Sequence, residues 1–346
     1  MTVKYSFKND YSELAHPQVL AALAQIGNKQ FDGYGLDGYT CAAKEVIKAK
    51  IKRPDAQIHF LTGGTQANLV CISSILRPYE SVIACESAHI ATHETGAIEA
   101  TGHKICTVKG RDGKLNPEDI EGVLNLHRDE HMVKPKLVFI SQATETGTIY
   151  SKDELEAISA CCKKYNLYLH LDGARLGMGL NSDHCDMTYA DVAELVDTFY
   201  IGGTKNGALF GEAVVICNAG LQEWFRYHVK QKGAMLAKGT AVSLQFMALF
   251  AGDTPLYDTL ALHANDMAQK LAYGMRKLDF DFYSEPQSNQ IFPVLPYLVW
   301  EKMKERYDFY EWLPVKEKGK PVVVRLVTSW ATPEEIVEMF LQDLLQ

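Results

Sequence analysis

The sequence predicts an α/β fold, with a mostly parallel sheet sandwiched by helices and a smaller α+β C-terminal domain. Three observations predict it. From about Gln57 to Cys217, short apolar runs alternate with amphipathic segments, the pattern of strands that return through helices to a sheet covered on both faces. After about Gly252 the alternation gives way to one long helical stretch followed by short strands. The 346 residues are 47% hydrophobic, enough apolar material for more than one core. The expected division is an N-terminal arm over residues 1–30, a large domain over 31–251 and a small domain over 252–346.

Taken in order, Ile58–Leu61 reads as a strand and Gln66–Leu76 as a helix, with further strands at Ser81–Cys85 and Lys104–Val108. Asn116 and Pro117 open the next helix, asparagine as N-cap and proline at the first helical position. Lys136–Ser141 is strand-like. Ser151 and Glu154 form a capping box for a helix that ends near Tyr165. Leu167–Leu171 and Thr198–Ile201 are two more apolar strands. Beyond them come a helix from Pro255 to about Leu278, strands at Phe280–Tyr283 and Gln290–Val294, and a charged helix. A strand at Val322–Val327 and a last helix opened by Thr332 and Pro333 complete the chain.

Composition narrows the function. The net charge is −8 with no long basic run, so a nucleic-acid partner has no electrostatic support. Charged residues interrupt every apolar stretch well before the ~18 positions a membrane span needs. The start, MTVKYSFKNDYSELAHP, lacks the apolar region of a secretory signal. The eight cysteines, at 41, 71, 85, 106, 161, 162, 185 and 217, form no C-x-x-C pair. A reduced, cytoplasmic compartment is expected.

Three motifs carry chemistry. In FLTGGTQAN, residues 60–68, an apolar strand runs into Gly63, Gly64 and Thr65 and then directly into a helix. Glycines admit close backbone approach and a helix N-terminus favours anions, which makes a phosphate site. A tight strand–helix turn capped by Thr65 explains the same residues. In LHLDGAR, residues 169–175, Asp172 stands at the carboxyl end of a buried strand, where ligands bind in open α/β sheets. A carboxylate there suits the pyridine nitrogen of pyridoxal 5′-phosphate (PLP), keeping it protonated. Arg175 suits the cofactor's phenolic oxygen or a substrate carboxylate. Helix capping and a structural ion pair are the alternatives for Asp172 and Arg175. In FYIGGTKNG, residues 199–207, Lys205 follows another apolar strand, 33 positions after Asp172. Adjacent parallel strands bring both residues to one sheet edge, and lysine is the side chain that joins PLP covalently.

With these motifs the chain resembles the low-specificity L-threonine aldolases of the aspartate-aminotransferase-like, fold type I PLP enzymes. FKNDYS (7–12), AHP (15–17), YGLD (34–37), SAH (87–89), SQATETG (141–147) and VRLVT (324–328) extend the resemblance over nearly the whole chain. The resemblance implies roles. His89 stacks on the pyridine ring and handles the proton of the substrate hydroxyl. Gly63, Gly64 and Thr65, with Thr204, hold the cofactor. Asp172 binds the ring nitrogen, while Arg175 and Arg325 bind the substrate carboxylate. Asn9 falls where relatives place a serine near that carboxylate. Tyr34 reaches a neighbouring subunit's site, and Lys238 a neighbour's phosphate. Thr240 stands where some relatives have arginine.

The implied reaction is retro-aldol cleavage of threonine or allo-threonine to glycine and acetaldehyde by a homodimer or homotetramer. An aminotransferase or β-eliminating lyase would share Lys205 and Asp172, and a non-catalytic PLP-binding protein would share the fold. No metal is expected. His89 and His93 have the i, i+4 spacing of a zinc pair, but no third ligand is evident beyond the Asp183–Asp186 run.

Overall fold

The structure is a computed structural model that describes residues 4–314 and 317–345. In chain order its strands are β1 (Tyr5–Ser6), β2 (Gln57–Leu61), β3 (Glu80–Cys85), β4 (Ile105–Val108), β5 (Lys134–Ser141), β6 (Tyr168–Asp172), β7 (Thr198–Gly202) and β8 (Glu212–Ile216). They continue with β9 (Gln290–Ile291), β10 (Val294–Leu295), β11 (Tyr307–Asp308), β12 (Tyr310–Glu311) and β13 (Val322–Val327). The main sheet has seven strands in the order β2-β8-β7-β6-β5-β3-β4. Pairings from β7 to β4 are parallel, and β8 runs antiparallel to both its neighbours.

The parallel strands are Val-, Ile- and Leu-rich and buried along nearly their whole length, as strands covered on both faces must be. Returning helices cover them. Pro117–Leu126 and Lys152–Lys164 both carry the capping boxes of their expected N-termini, at Asn116 and Ser151. A second core gathers Phe7, Met267, Leu271, Met275, Ile291, Leu295, Trp300, Val324, Leu326, Val337 and Phe340. The helix Leu256–Lys277 spans both cores, giving Tyr257 and Leu260 to the first and Met267 to Met275 to the second. Phe7 ties the start of the chain into this second core. Its N–H donates to Asp308 O (2.7 Å), and Val327 N–H donates to Phe7 O (2.9 Å). Asn9 and Asp10 are thereby carried toward the carboxyl ends of the sheet strands.

Three local expectations are corrected. Gln290–Val294 is not one strand but two, β9 and β10, because Pro293 has no N–H to give the ladder with β13. Its carbonyl still accepts from Val324 N–H (3.1 Å). Phe280–Tyr283 keeps only an isolated bridge, Phe282 to Pro293, since its partner segment is broken at that proline. The last helix begins at Glu334 with Pro333 as its cap residue, and Thr332 Oγ1 instead accepts from Ser329 N–H (2.8 Å). A strand absent from the sequence reading, β8, enters the sheet between β7 and β2. A turn over residues 203–211, with Gly207 and Gly211 at positive φ, folds it back as a hairpin instead of a helical crossover.

Candidate active site

β6 and β7 pair in parallel, with His170 opposite Thr198 and Leu171 opposite Phe199. Asp172 ends β6, and Lys205 follows three residues after the end of β7, so both stand at one edge of the sheet. The turns beyond the strands touch backbone to backbone: Gly202 N–H donates to Gly173 O (2.9 Å). A Cβ at Gly173 would lie 1.8 Å from Tyr200 O, and one at Gly202 would lie 2.4 Å from Ala174 O. Only glycine fits either place, which explains one glycine in each of the two motifs.

Asp172 is buried and held from three sides. Oδ1 accepts from the Tyr200 hydroxyl and from Ala174 N–H (3.0 Å), and Oδ2 accepts from the Asn68 amide (2.9 Å). Burial pushes its pKa up, but the His89 ring and these hydrogen bonds outweigh burial and hold the carboxyl below its ordinary range. The Asn68 amide also donates to Glu94 Oε1 (2.8 Å) and accepts at Oδ1 from His170 Nε2 (3.2 Å). His170 bonds Thr198 Oγ1 through Nδ1 (2.7 Å), and burial lowers its pKa to about 4, so the ring is neutral. His89 Nδ1 lies 2.8 Å from Glu94 Oε1, and His89 N–H donates to Glu145 Oε1 (3.0 Å).

Lys205 is half-buried, and no hydrogen bond holds its amine among the described residues. Burial, reinforced by the Arg175 charge, lowers its pKa against the pull of Asp10, Asp172 and Glu212. Thr204 is fixed beside it, donating to Glu212 Oε1 (3.0 Å) and accepting from Gly211 N–H (3.0 Å). Gly203 N–H donates to Glu212 Oε2 (3.2 Å). Burial pushes the Glu212 carboxyl up to about 8.

Gly63 caps the helix Gly64–Ile75 in extended conformation, with no side-chain cap. The first bond that closes the helix runs from Ala67 N–H to Gly63 O, so the amides of Gly64, Thr65 and Gln66 have no helical acceptor. Thr65 is exposed and does not cap. A Cβ at Gly63 would meet nothing within 4 Å, and one at Gly64 would lie 3.0 Å from the Tyr200 hydroxyl. The turn is an open cradle for an anion, beside the residue that holds Asp172.

The two arginines differ. Arg175 Nε and Nη2 donate to Asp10 Oδ2 and Oδ1 (2.7 and 3.1 Å), a two-point pair in which Asp10 is fully buried. Asp10 also accepts from Asn289 Nδ2 (3.0 Å). The Nε face of the Arg175 fork is thus taken by a structural ion pair, the alternative the sequence left open for it. Among the described residues Arg325, on β13, gives only Nη2 to Lys8 O (3.2 Å), and its buried Nε has no partner. Its guanidinium packs against the rings of Tyr310 and Trp312. The Asn9 Oδ1 is spent on its own turn, accepting from Tyr11 N–H (2.9 Å) and the Ser12 hydroxyl (3.0 Å).

Tyr34 and Lys238 stand apart from this cluster. Tyr34 N–H donates to Ala237 O (3.0 Å), Lys230 lies over its ring, and its side chain is largely exposed. Lys238 is exposed. Thr240 donates to Asp37 Oδ2 (2.6 Å), and Asp37 caps the helix Gly38–Ile51. His93 packs edge-on against the His89 ring, centroids 5.5 Å apart. Among the described residues no group of three or more His, Cys, Asp or Glu could hold a metal ion.

Asp10, Asn68, Glu94, Tyr200 and Glu212 belong to the site and were not singled out in the sequence. Tyr200 had a signal: it is two positions before Gly202 on a buried strand and so shares its face. The partners of Asp10 are 165 and 279 positions away, beyond any local pattern.

PLP fits these residues. An ionised, buried carboxylate, a lysine amine with no competing hydrogen bond, open amides at a helix N-terminus and an orphaned guanidinium N–H are the partners its ring nitrogen, aldehyde, phosphate and a bound carboxylate require.

The chain matches the beta-eliminating lyase family over residues 19–296. It is 33% identical over 345 residues to a low-specificity L-threonine aldolase from a Pseudomonas species, covering 97% of this chain and 95% of that one. A solved threonine aldolase structure from Leishmania major superposes with a TM-score of 0.96 at 46% identity, covering 99% and 98% of the two chains. An aspartate aminotransferase from Thermus thermophilus shares the fold at a TM-score of 0.73 and 14% identity, over 98% of this chain and 90% of its own. The chain therefore belongs to the beta-eliminating lyase family, in its low-specificity threonine aldolase group.

Proposed function

We propose that this chain is a PLP-dependent aldolase that cleaves threonine and allo-threonine to glycine and acetaldehyde. The observation that carries the reading is the joint placement of Asp172 and Lys205 at the ends of paired parallel strands. The orphaned Arg325 Nε and the Asp172-linked His89 support it.

Lys205 would hold the cofactor through its amine. Its lowered pKa keeps more of the neutral, nucleophilic form than an ordinary lysine has. Asp172 would hold the ring nitrogen, with Tyr200 and Asn68 fixing the carboxylate in place. The amides of Gly64 and Thr65 would take the phosphate. When bound, PLP supplies an electron-withdrawing ring that takes up the electron pair of a bond broken at Cα. Arg325 would bind the substrate carboxylate through its free Nε. That contact turns the Cα–Cβ bond toward the geometry in which it breaks. Arg175, already paired with Asp10, would support the site and offer its remaining N–H groups.

Tyr34 and Lys238 would serve a neighbouring subunit of a homo-oligomer. The exposed Tyr34, Leu36, Trp224 and Tyr227 support a contact surface there. Eight free cysteines support a reducing compartment, and no helix among the described residues is long and apolar enough to cross a membrane.

The test is an absorbance spectrum of the purified protein followed by product analysis with threonine. A visible cofactor band that disappears in Lys205→Ala, with glycine and acetaldehyde formed by the parent, is the expected result. Ammonia or a keto-acid requirement would redirect the assignment to an eliminase or an aminotransferase. A cofactor band without turnover would leave a binding protein.

A further inference from the structure

Glu94 lies five residues after His89 and is buried, yet one of its oxygens, Oε2, has no partner among the described residues. Its other oxygen receives two groups, the Asn68 amide (2.8 Å) and His89 Nδ1 (2.8 Å). The hydrogen positions follow from what each neighbour is able to donate. Asp172 is ionised and only accepts, so the Asn68 group facing it is the amide nitrogen. That same nitrogen faces Glu94, and the amide oxygen faces His170 Nε2. Both Asn68 amide protons are therefore committed, one to each carboxylate. Oε1 of Glu94, already receiving an N–H, is the poorer seat for a proton of its own. It accepts from His89 as well, which puts the histidine proton on Nδ1 and the lone pair on Nε2.

We propose that Glu94, oriented by Asn68, is the positioning residue that locks His89 in the Nδ1–H tautomer, so that His89 Nε2 is the base for the β-hydroxyl proton. The inference rests on the aldolase reading above. In the step it serves, the substrate O–H bond breaks and an Nε2–H bond forms. The O–H electron pair becomes the second C–O bond of the aldehyde, and the Cα–Cβ pair stays with the glycine fragment. Positive charge then appears on the His89 ring. A buried carboxylate with an unpartnered oxygen is poorly solvated until that charge arrives, so Glu94 stabilises the charged ring more than the neutral one. Asn68 also links this pair to Asp172, fixing base and cofactor carboxylate through a single amide.

Two substitutions separate orientation from charge. Glu94→Gln keeps an oxygen for His89 and Asn68 but removes the charge, and Glu94→Ala removes both. The first readout is the ring ¹⁵N signal of His89 in the substrate-free holoenzyme, assigned by its loss in His89→Asn. The parent and Glu94→Gln are expected in the Nδ1–H form, and Glu94→Ala in a mixture. The second readout compares threonine cleavage with exchange of the glycine Cα hydrogen for deuterium, a reaction with no hydroxyl to deprotonate. In Glu94→Ala, kcat for threonine should fall on the order of a hundredfold, the low end for loss of a general base. Glycine exchange should fall far less than threonine cleavage, with the loss expressed in kcat more than in KM, and Glu94→Gln should fall between. Parent His89 in the Nε2–H form, or cleavage and exchange falling in parallel, would overturn the proposal. A parent that neither cleaves threonine nor exchanges glycine sinks the aldolase reading instead, while the ¹⁵N signal still decides the tautomer.

Discussion

Removing Asp10 tests how the cleft holds its cations. The Arg175 charge acts on both Lys205 and Arg325, and the Asp10 carboxylate opposes it at each. Asp10 is fully buried, and the Arg175 side chain is 12% exposed. Asp10→Ala deletes two charge-assisted hydrogen bonds of 2.7 and 3.1 Å and a third, from Asn289, of 3.0 Å. It leaves Arg175 buried beside two like charges. Breaking a buried pair from one side typically costs about 3–5 kcal/mol, because the remaining ion is neither paired nor hydrated. Asp10→Asn keeps one oxygen and should lose about 2 kcal/mol. The assay is urea unfolding of each variant with and without sulfate, an anion able to replace the missing charge. Asp10→Ala should recover more in sulfate than the parent does. The Asp10 pKa is below its ordinary 3.8, so the stabilisation it provides is present above that value and lost as pH falls through the lower, folded one. The variant and parent should therefore converge in acid. A loss under about 1 kcal/mol for Asp10→Ala at neutral pH would refute the argument, since Arg175 would then be solvated without its partner.

Asp172→Asn should lower threonine cleavage by orders of magnitude while some cofactor stays bound, read from kcat beside the absorbance spectrum. Arg325→Lys keeps charge but loses the fork, so kcat/KM for threonine should fall on the order of a hundredfold with the cofactor band intact. The buried Glu212, with its pKa at about 8 against an ordinary 4.5, favours the fold in its neutral form. Its contribution is present below 4.5 and lost as pH rises through about 8, up to ~5 kcal/mol in the limit. Glu212→Gln should flatten the decline of the thermal midpoint between about pH 5 and 8, and an unchanged slope would count against it.

The parts of the fold legible in the sequence were those set by neighbours along the chain. Asn116 and Ser151 capped their helices because a capping box closes within four residues. Asp172 and Lys205 were legible because each follows a buried strand, and strand ends in a parallel sheet share an edge. The break between β9 and β10 was missed, although Pro293 carried the signal, since a proline cannot donate to a ladder. β8 was hidden because the turn over 203–211 carries Lys205 as well as the hairpin reversal, and its apolar run looked like any buried segment. Asp10, Asn68 and Glu94 were illegible for another reason. Each is an ordinary polar residue locally and acquires meaning only when folding brings up its partners.

The two arginines show what that difference means for function. In the sequence both are arginines near the ends of apolar segments, and the resemblance assigns both to the substrate carboxylate. In the fold, Arg175 already has a carboxylate, Asp10, in two-point contact, whereas Arg325 has a buried Nε with no partner among the described residues. A buried unpaired donor costs roughly 1–3 kcal/mol, and Arg325 carries that cost in the substrate-free protein while its pKa is depressed, first by burial and then by Arg175. Under the proposed reading, an incoming carboxylate would relieve it at Arg325 and gain less at Arg175, where it would meet the charge of Asp10. Substrate binding should therefore be read out at Arg325, and Arg175 substitutions should act through stability and the amine of Lys205. Asp10 sits on a segment strapped to β13, the strand that carries Arg325, so under the proposed reading one element would deliver both the substrate clamp and the carboxylate that occupies Arg175.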